Sequence, residues 1–435
     1  MKRIKSRIIL MVLLPMVVAV MGGVPLLFAS EQYSIVDLGT LGGSASSAYA
    51  INGSGQVVGF SWTDTGEAHA FLWQRKGRTE GQMIDLGTLG GIYSEASAIN
   101  GSGQVIGYSW TDSGDTHAFL WQRKGRTEGQ MIDLGTLGGT YSFPSAINGN
   151  GQIVGESTVA SGDMRGFLWQ PGANPGEGSL VDLGTLGGSE SVAWGINGVG
   201  QVVGYSTTGS GQTHAFLWQP GANPGETEMS DLGTLGGTYS EAYAINDNGQ
   251  IVGKSQTESG EVHAFLWRPV ADPGERNMID LGTLGGTYSE AYAINGNGQA
   301  IGYLETQSGE LHAFLWQPGT NPSEGNMIDL GTLGGIWSVA NGINGTGKVV
   351  GQSLIASGLW HAFVWGPDGG NLLDLGSLGG SQVYATAISE NGKIVGGSDT
   401  GAGETHAVLW INRGSSRESL PQSNQVKPLS TGITH

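Results

Sequence analysis

The chain has no cysteine among its 435 residues, so no disulfide can staple it and no lipid can be attached through an N-terminal cysteine. Packing must hold it together. Charged residues make up only 13%, too few for the long, solvated surface helices of many α proteins. Basic residues are the scarcer sign, 19 against 37 acidic, for a formal net charge of −18. That balance argues against nucleic acid as a partner, since phosphate binding needs clustered Lys and Arg. It serves solubility outside a cell, and it also favours cations and cationic partners. The sequence shows no zinc-type His cluster, no phosphate-cradling loop followed by Lys and no Gly-x-Ser-x-Gly elbow. It therefore points to no cofactor, no metal and no catalytic residue.

What the chain has in abundance is glycine, 79 residues, a content that suits short strands and tight turns and disfavours helix. At the N-terminus Lys2, Arg3, Lys5 and Arg7 precede an apolar run from Ile8 to Phe28, interrupted by Pro15, Gly22, Gly23 and Pro25. The pattern predicts a signal peptide over residues 1–29, cut after Ala29, and hence a secreted or surface protein of bacterial-type export. An uncleaved membrane anchor is the alternative, because the run approaches the ~20 residues that a span needs. Removing residues 1–29 takes away four basic and no acidic residues, so −18 becomes −22.

The string DLGTLGG, or DLGSLGG in the last copy, begins at Asp37, Asp85, Asp133, Asp182, Asp231, Asp280, Asp329 and Asp374, at spacings of 48, 48, 49, 49, 49, 49 and 45. A period this long and regular indicates stacked supersecondary units of propeller-blade size. The copy from Tyr288 to Leu330 holds four candidate strands: one around Tyr292-Ala-Ile-Asn, one around Gln299-Ala-Ile-Gly-Tyr, His312 to Trp316, and Met327-Ile-Asp-Leu. Asn297-Gly298 between the first two reads as a tight hairpin turn. Pro318 and Pro322 mark the third connection as irregular. Alternation puts His312, Phe314 and Trp316 on one face of the third strand and Ala313 and Leu315 on the other, so both faces can be buried.

The ends of the array favour a propeller over an open solenoid. A lone DLG strand near Tyr33 precedes the first complete unit, and the last unit stops at Trp410 without a DLG strand. The reading is an all-β, eight-bladed β-propeller of about 48 residues per four-stranded repeat over residues 30–411, with residues 33–41 completing the blade of residues 384–410 and closing the ring. A disordered tail is expected over residues 412–435, which are rich in Ser, Pro, Gln and charge.

The order of a short outer segment, a turn and strands ending in an aromatic residue resembles WD-repeat propellers, without their Gly-His and Trp-Asp signatures. HAFLW with DLGTLGG and INxxGQVVG is similar to the HAF-family extracellular repeat proteins over nearly all of the chain beyond residue 29; copy three departs with Arg165-Gly166-Phe167 and copy eight with Val408. This resemblance implies an exported repeat protein and brings no catalytic residues with it.

Every unit but the third, where Arg165 keeps the donor role, pairs one DLG Asp with one HAF His, among them Asp85, His117, Asp280, His263 and His312, and these are expected as structural struts repeated because every blade needs them. Catalysis needs one special site, not eight equivalent copies. Trp73, Trp121, Trp169, Trp218, Trp267, Trp316, Trp365 and Trp410 recur with the period and are expected in the core. The INGSGQ-type segments carry a carboxylate only at Asp247 and read as turns, not calcium loops.

A second aromatic set, Tyr93, Tyr141, Tyr239, Tyr288 and Trp337, follows LGG and is expected in loops on one propeller face, with Trp62, Trp110 and Trp360 in or near the next loop of that side. Glu95, Glu241 and Glu290 stand two residues after their Tyr, as carboxylate acceptors beside aromatic platforms. The expected function is non-catalytic binding of an extracellular glycan or protein on that face. A polysaccharide hydrolase or lyase using non-repeated acids such as Glu156 and Glu190, and a structural matrix protein, are the alternatives.

Overall fold

A computed structural model describes residues 32–76, 80–124, 128–174, 176–220, 227–269, 278–320, 324–367 and 370–415. The expected signal peptide and residues 416–435 of the expected tail lie outside the described residues. Among the described residues there are thirty-two strands, one 3-10 turn at Arg413–Ser415 and no α-helix. They form repeated four-stranded antiparallel units. Unit six runs Gly285–Ile294, Ala300–Thr306, Leu311–Pro318 and Gly325–Gly331, paired in chain order.

Each strand of the HAF type is buried on both faces, and each face belongs to a different core. Phe314 and Trp316 pack back onto Val252, Ala264 and Leu266 of unit five, whereas Ala313 and Leu315 pack forward onto Val349, Phe363 and Trp365 of unit seven. Every unit is thus held by its neighbours. Departures from the repeat are balanced within one core: unit six has Leu304 in place of the usual Ser and the smaller Ala300 in place of Val or Ile, both in the same cluster. Unit eight does the same with Val383 for Ser and Val408 for Phe.

The strand Tyr33–Asp37 pairs antiparallel with Thr405–Asn412, Tyr33 opposite Asn412 and Asp37 opposite Val408. The last strand therefore includes Asn412, one residue beyond the expected end of the array, and Arg413 N donates to Gln32 O at 2.9 Å. Leu38, Leu409 and Ile411 share a core with Ala48, Val57, Phe71 and Trp73 of unit one. First strands neighbour one another from unit to unit, and Gly379–Ile388 of unit eight lies beside Gly42–Ile51 of unit one. Backbone pairing between units is slight, a single parallel bridge such as Val262 to Tyr288. Units one to three make one sheet, four to seven another, and unit eight a third of four strands.

Side-chain amides supply a second inter-unit link. Asn52 Nδ2 donates to Asn100 O at 3.1 Å, Asn100 to Asn148 O at 3.1 Å, and the series continues to Asn344 and Ser389 O at 3.2 Å. Asn391 Nδ2 then reaches Gly53 O of unit one at 3.1 Å.

Three local expectations are corrected. The first strand begins at the LGG glycine pair, Gly285 rather than Tyr292, so Tyr93, Tyr141, Tyr239, Tyr288 and Trp337 lie in strands and not in loops. The inter-unit bridge and a Leu284–Thr306 bridge satisfy that segment's backbone, which period-two reading of one chain segment does not register. Trp62 and Trp110 likewise lie inside second strands, and Trp360 opens a third strand. The turn after Ile294 is longer than a two-residue hairpin: Gly298 N donates to Asn295 O and Asn295 N to Gln299 O, both at 3.0 Å. Only Gly298 takes positive φ (+78°), and Asn295 Oδ1 organises the turn by accepting from Asn297 N and Gln299 N at 3.0 Å. Pro318, finally, closes the third strand opposite Gly325.

Candidate functional site

Asp280 opposes Phe265 across the third and fourth strands, which brings its carboxylate to His263 Nδ1 at 2.8 and 2.9 Å. The same contact recurs in His69–Asp85, His117–Asp133, His214–Asp231, His312–Asp329, His361–Asp374 and His406–Asp37, at 2.7 to 2.9 Å. In unit three Arg165 Nε stands 3.9 Å from Asp182, and the guanidinium donates to Ser189 O. The Asp also orders its own turn: Asp280 Oδ1 accepts from Gly282 N at 2.7 Å, and Gly282 adopts φ +74°, which requires glycine. Thr283 Oγ1 donates to Gly286 O at 2.8 Å. The DLGTLGG string is a folding device.

The Asp280 hydrogen bond raises His263 above its usual 6.5, against burial, with the Asp280 and Glu261 charges adding to the rise. Burial would raise Asp280, but the His263 and Gly282 hydrogen bonds outweigh it and hold the carboxyl below 3.8. The histidine's contribution is complete below its unfolded pKa and is lost as pH rises through the folded one. The aspartate's is present above its unfolded pKa and lost as pH falls through the folded one. Unfolding of wild type and Asp280→Asn across pH is therefore expected to show the largest stability difference between about pH 4 and 6.5, shrinking on either side.

The first strands carry a row of three side-chain positions per unit, Tyr288, Glu290 and Tyr292 in unit six, the middle one buried there. The middle one holds Glu95, Glu241 and Glu290. Tyr93 and Tyr108 hydroxyls donate to Glu95 at 2.6 and 3.2 Å. Burial raises the Glu95 pKa against those two bonds. Tyr243 donates to Glu241 at 2.6 Å. Tyr288 and Tyr303 donate to Glu290 at 2.5 and 3.3 Å. Lys254 lies between the last two acids, 3.7 Å from Glu241 and 3.1 Å from Glu290, with its ammonium 5.8 Å from the Tyr239 ring centroid. Units five and six are thus brought together around one lysine. These carboxylates already have partners inside the molecule, which leaves them poor acceptors for a ligand.

The third position of the row was not legible in the sequence. Pairing slips between Ala193 and Gly195, so Trp194 is the extra residue of a β-bulge, and the same slip recurs in every unit, at Tyr243 and Tyr292 among others. Trp194 stacks on Tyr243 at 4.5 Å and 17°, and Tyr243 meets Tyr292 at 5.9 Å. An aromatic series joins units four to six. In unit three, burial pushes Glu156 up to about 7. Tyr141, with its ring 5.7 Å from Phe143, is raised by burial and by the Glu156 and Glu190 charges.

Exposed apolar surface gathers at the LGG end. Trp62, Trp110 and Trp337 are 40, 42 and 43% exposed, beside the exposed Ile92 and Ile336. Tyr93 tilts against Trp110 at 5.6 Å and Trp337 against Trp360 at 6.3 Å. These belong to units one, two and seven. The recurring HAFLW tryptophans, Trp316 included, are buried.

Repeated four-stranded antiparallel units, packed face to face with their first strands side by side, define a β-propeller repeat protein. No protein-family model and no curated protein sequence matches the chain. Among solved structures, it is similar to the WD40 domain of SCAP from fission yeast (11% identity, TM-score 0.46, 89% of this chain and 99% of that one). It is similar to the BP39L lectin of Burkholderia pseudomallei (10%, 0.38, 71% and 92%). It is also similar to the sialidase of Trypanosoma rangeli (12%, 0.32, 67% of this chain), of whose length it spans 58%. Likeness at this level says nothing of ligand or reaction.

Proposed function

We propose that the chain is an exported, eight-bladed propeller closed through its N-terminal strand, and that it binds an extracellular ligand at the LGG end without transforming it. The carrying observation is the set of three indoles, Trp62, Trp110 and Trp337, each about two-fifths exposed on the same end of a scaffold whose other tryptophans of the repeat are buried. Large aromatic surface left in water at one end is characteristic of recognition sites. The repeated His–Asp pairs and the Tyr-bonded glutamates support this reading, because both sets are occupied in holding the scaffold. The likeness of the repeat to HAF-family proteins supports an exported role. Glycan and peptide arrays probed with the intact protein are expected to give a defined set of ligands whose binding falls at least tenfold in the Trp62→Ala, Trp110→Ala, Trp337→Ala triple variant. Binding unchanged in that variant would remove the LGG end from consideration.

A hydrolase or lyase reading has one observation in its favour, Glu156, which burial poises near neutrality as a general acid requires. It demands turnover of a polysaccharide that is abolished in Glu156→Gln.

A further inference from the structure

At the LGG end, unit one has a small residue where the other seven carry larger ones. Ala45 stands where the others carry Tyr, Trp, Glu or Gln. In unit two the equivalent Tyr93 leans on Trp110. In unit one no ring occupies that place, and Trp62 borders a shallow depression of about 420 Å³. Its floor is glycine: a Cβ at Gly43 would lie 2.6 Å from the Trp62 Cβ, so no side chain can grow there to cover the indole. Ser44 and Asp64 of unit one flank it, and Glu404 reaches in from unit eight.

The lining is one-signed. It contains two carboxylates and neither Lys nor Arg, in a chain of net charge −18. The basic group near it, His406, lies 3.8 Å from Glu404 and is held by Asp37 at 2.9 Å. The Thr63 hydroxyl is engaged with Thr65 at 2.8 Å and Glu67 O at 3.1 Å. A sugar ring over an indole needs donors and acceptors around it; a cation needs an aromatic face and anions.

We infer that this depression receives a cationic side chain, Lys or Arg from a basic peptide segment, over the Trp62 indole and between Asp64 and Glu404. The inference rests on the reading of the LGG end as the ligand face and names the chemistry of one subsite on it. The subsite joins unit eight to unit one, where the two ends of the array meet.

The test is anisotropy of fluorescein-labelled hexalysine titrated with the full chain at 0.15 M salt. Trp62→Ala and Asp64→Asn are each expected to weaken binding about tenfold. Asp112→Asn, which makes the same charge change at the equivalent position of unit two, is expected to leave it unchanged. Equal loss in Asp64→Asn and Asp112→Asn would show attraction to the general negative surface and overturn the subsite. Trp62-dependent binding of a neutral oligosaccharide such as cellotetraose, with none of hexalysine, would overturn the cation while keeping the ligand face. Array ligands that depend on Trp110 and Trp337 but not on Trp62 would overturn this subsite alone.

Discussion

Deletion of residues 33–38 is expected to destabilise the protein by roughly 5 kcal/mol or more and to make it self-associate. The segment contributes Tyr33 and Leu38 to two cores and Ile35 against one of them, and full burial of side chains of this kind is worth about 1.5–3 kcal/mol each. It also occupies the outer edge of Thr405–Asn412. Without it that strand becomes an open edge with unpaired backbone groups, a template for pairing with another copy. Removing Leu38 further exposes the face on which unit one packs through Phe71 and Trp73. Guanidinium unfolding should show a lower midpoint, and size-exclusion chromatography should show dimers or larger species. A deletion variant with unchanged midpoint and monomeric elution would mean that the strand is an appendage.

Gly204→Ala is the second large effect. The Val192 carbonyl approaches so closely that a Cβ at Gly204 would lie 1.8 Å from its oxygen, and the corresponding glycine of every unit is similarly crowded by backbone. The crowded position lies beside the bulge at Trp194, where Ala193 faces Gly204. Backbone cannot step aside as a flexible side chain can, so the substitution should cost about 3 kcal/mol or more, the upper range of overpacking. Gly53→Ala is the control: nothing lies within 4 Å of its added Cβ and its φ is not positive. There, lower entropy of the unfolded chain should make alanine neutral or stabilising by up to about 1 kcal/mol. Thermal or denaturant unfolding of the two variants beside wild type checks the contrast. Equal effects would mean that the bulge opens readily.

The features that sequence reasoning reached were those carried by one segment or by adjacent strands. Alternation placed Phe314 and Trp316 opposite Ala313 and Leu315, and the structure sends the two pairs into different cores. The Asp and its His, or Arg165 in unit three, lie on neighbouring antiparallel strands, so their contact followed from strand order. The features it missed depend on the neighbour a full period away. The amide link from Asn52 to Asn100 spans 48 residues and looks in sequence like a turn asparagine. Two glycines at the start of a strand hid the extended course of Tyr93 and Tyr288, which the preceding unit enforces. The bulge is a matter of register, to which composition is blind. For the candidate site the consequence was specific. Of the Tyr–Glu pairs chosen as ligand platforms, Tyr93–Glu95 and Tyr288–Glu290 are bonded to each other, whereas the small Ala45 beside Trp62 is a signal readable only by comparing unit one with the rest.

The absence of native cysteine makes closure through the N-terminal strand directly measurable. Ser34 faces Ile411 across the strand pair. Directly opposed residues of antiparallel strands have Cα atoms about 4.5–5.5 Å apart, within disulfide reach. Ser34→Cys with Ile411→Cys is predicted to form an intrachain disulfide under mild oxidation, detected as two fewer titratable thiols at monomer mass. Thiols that stay free, or that cross-link only between chains, would contradict it.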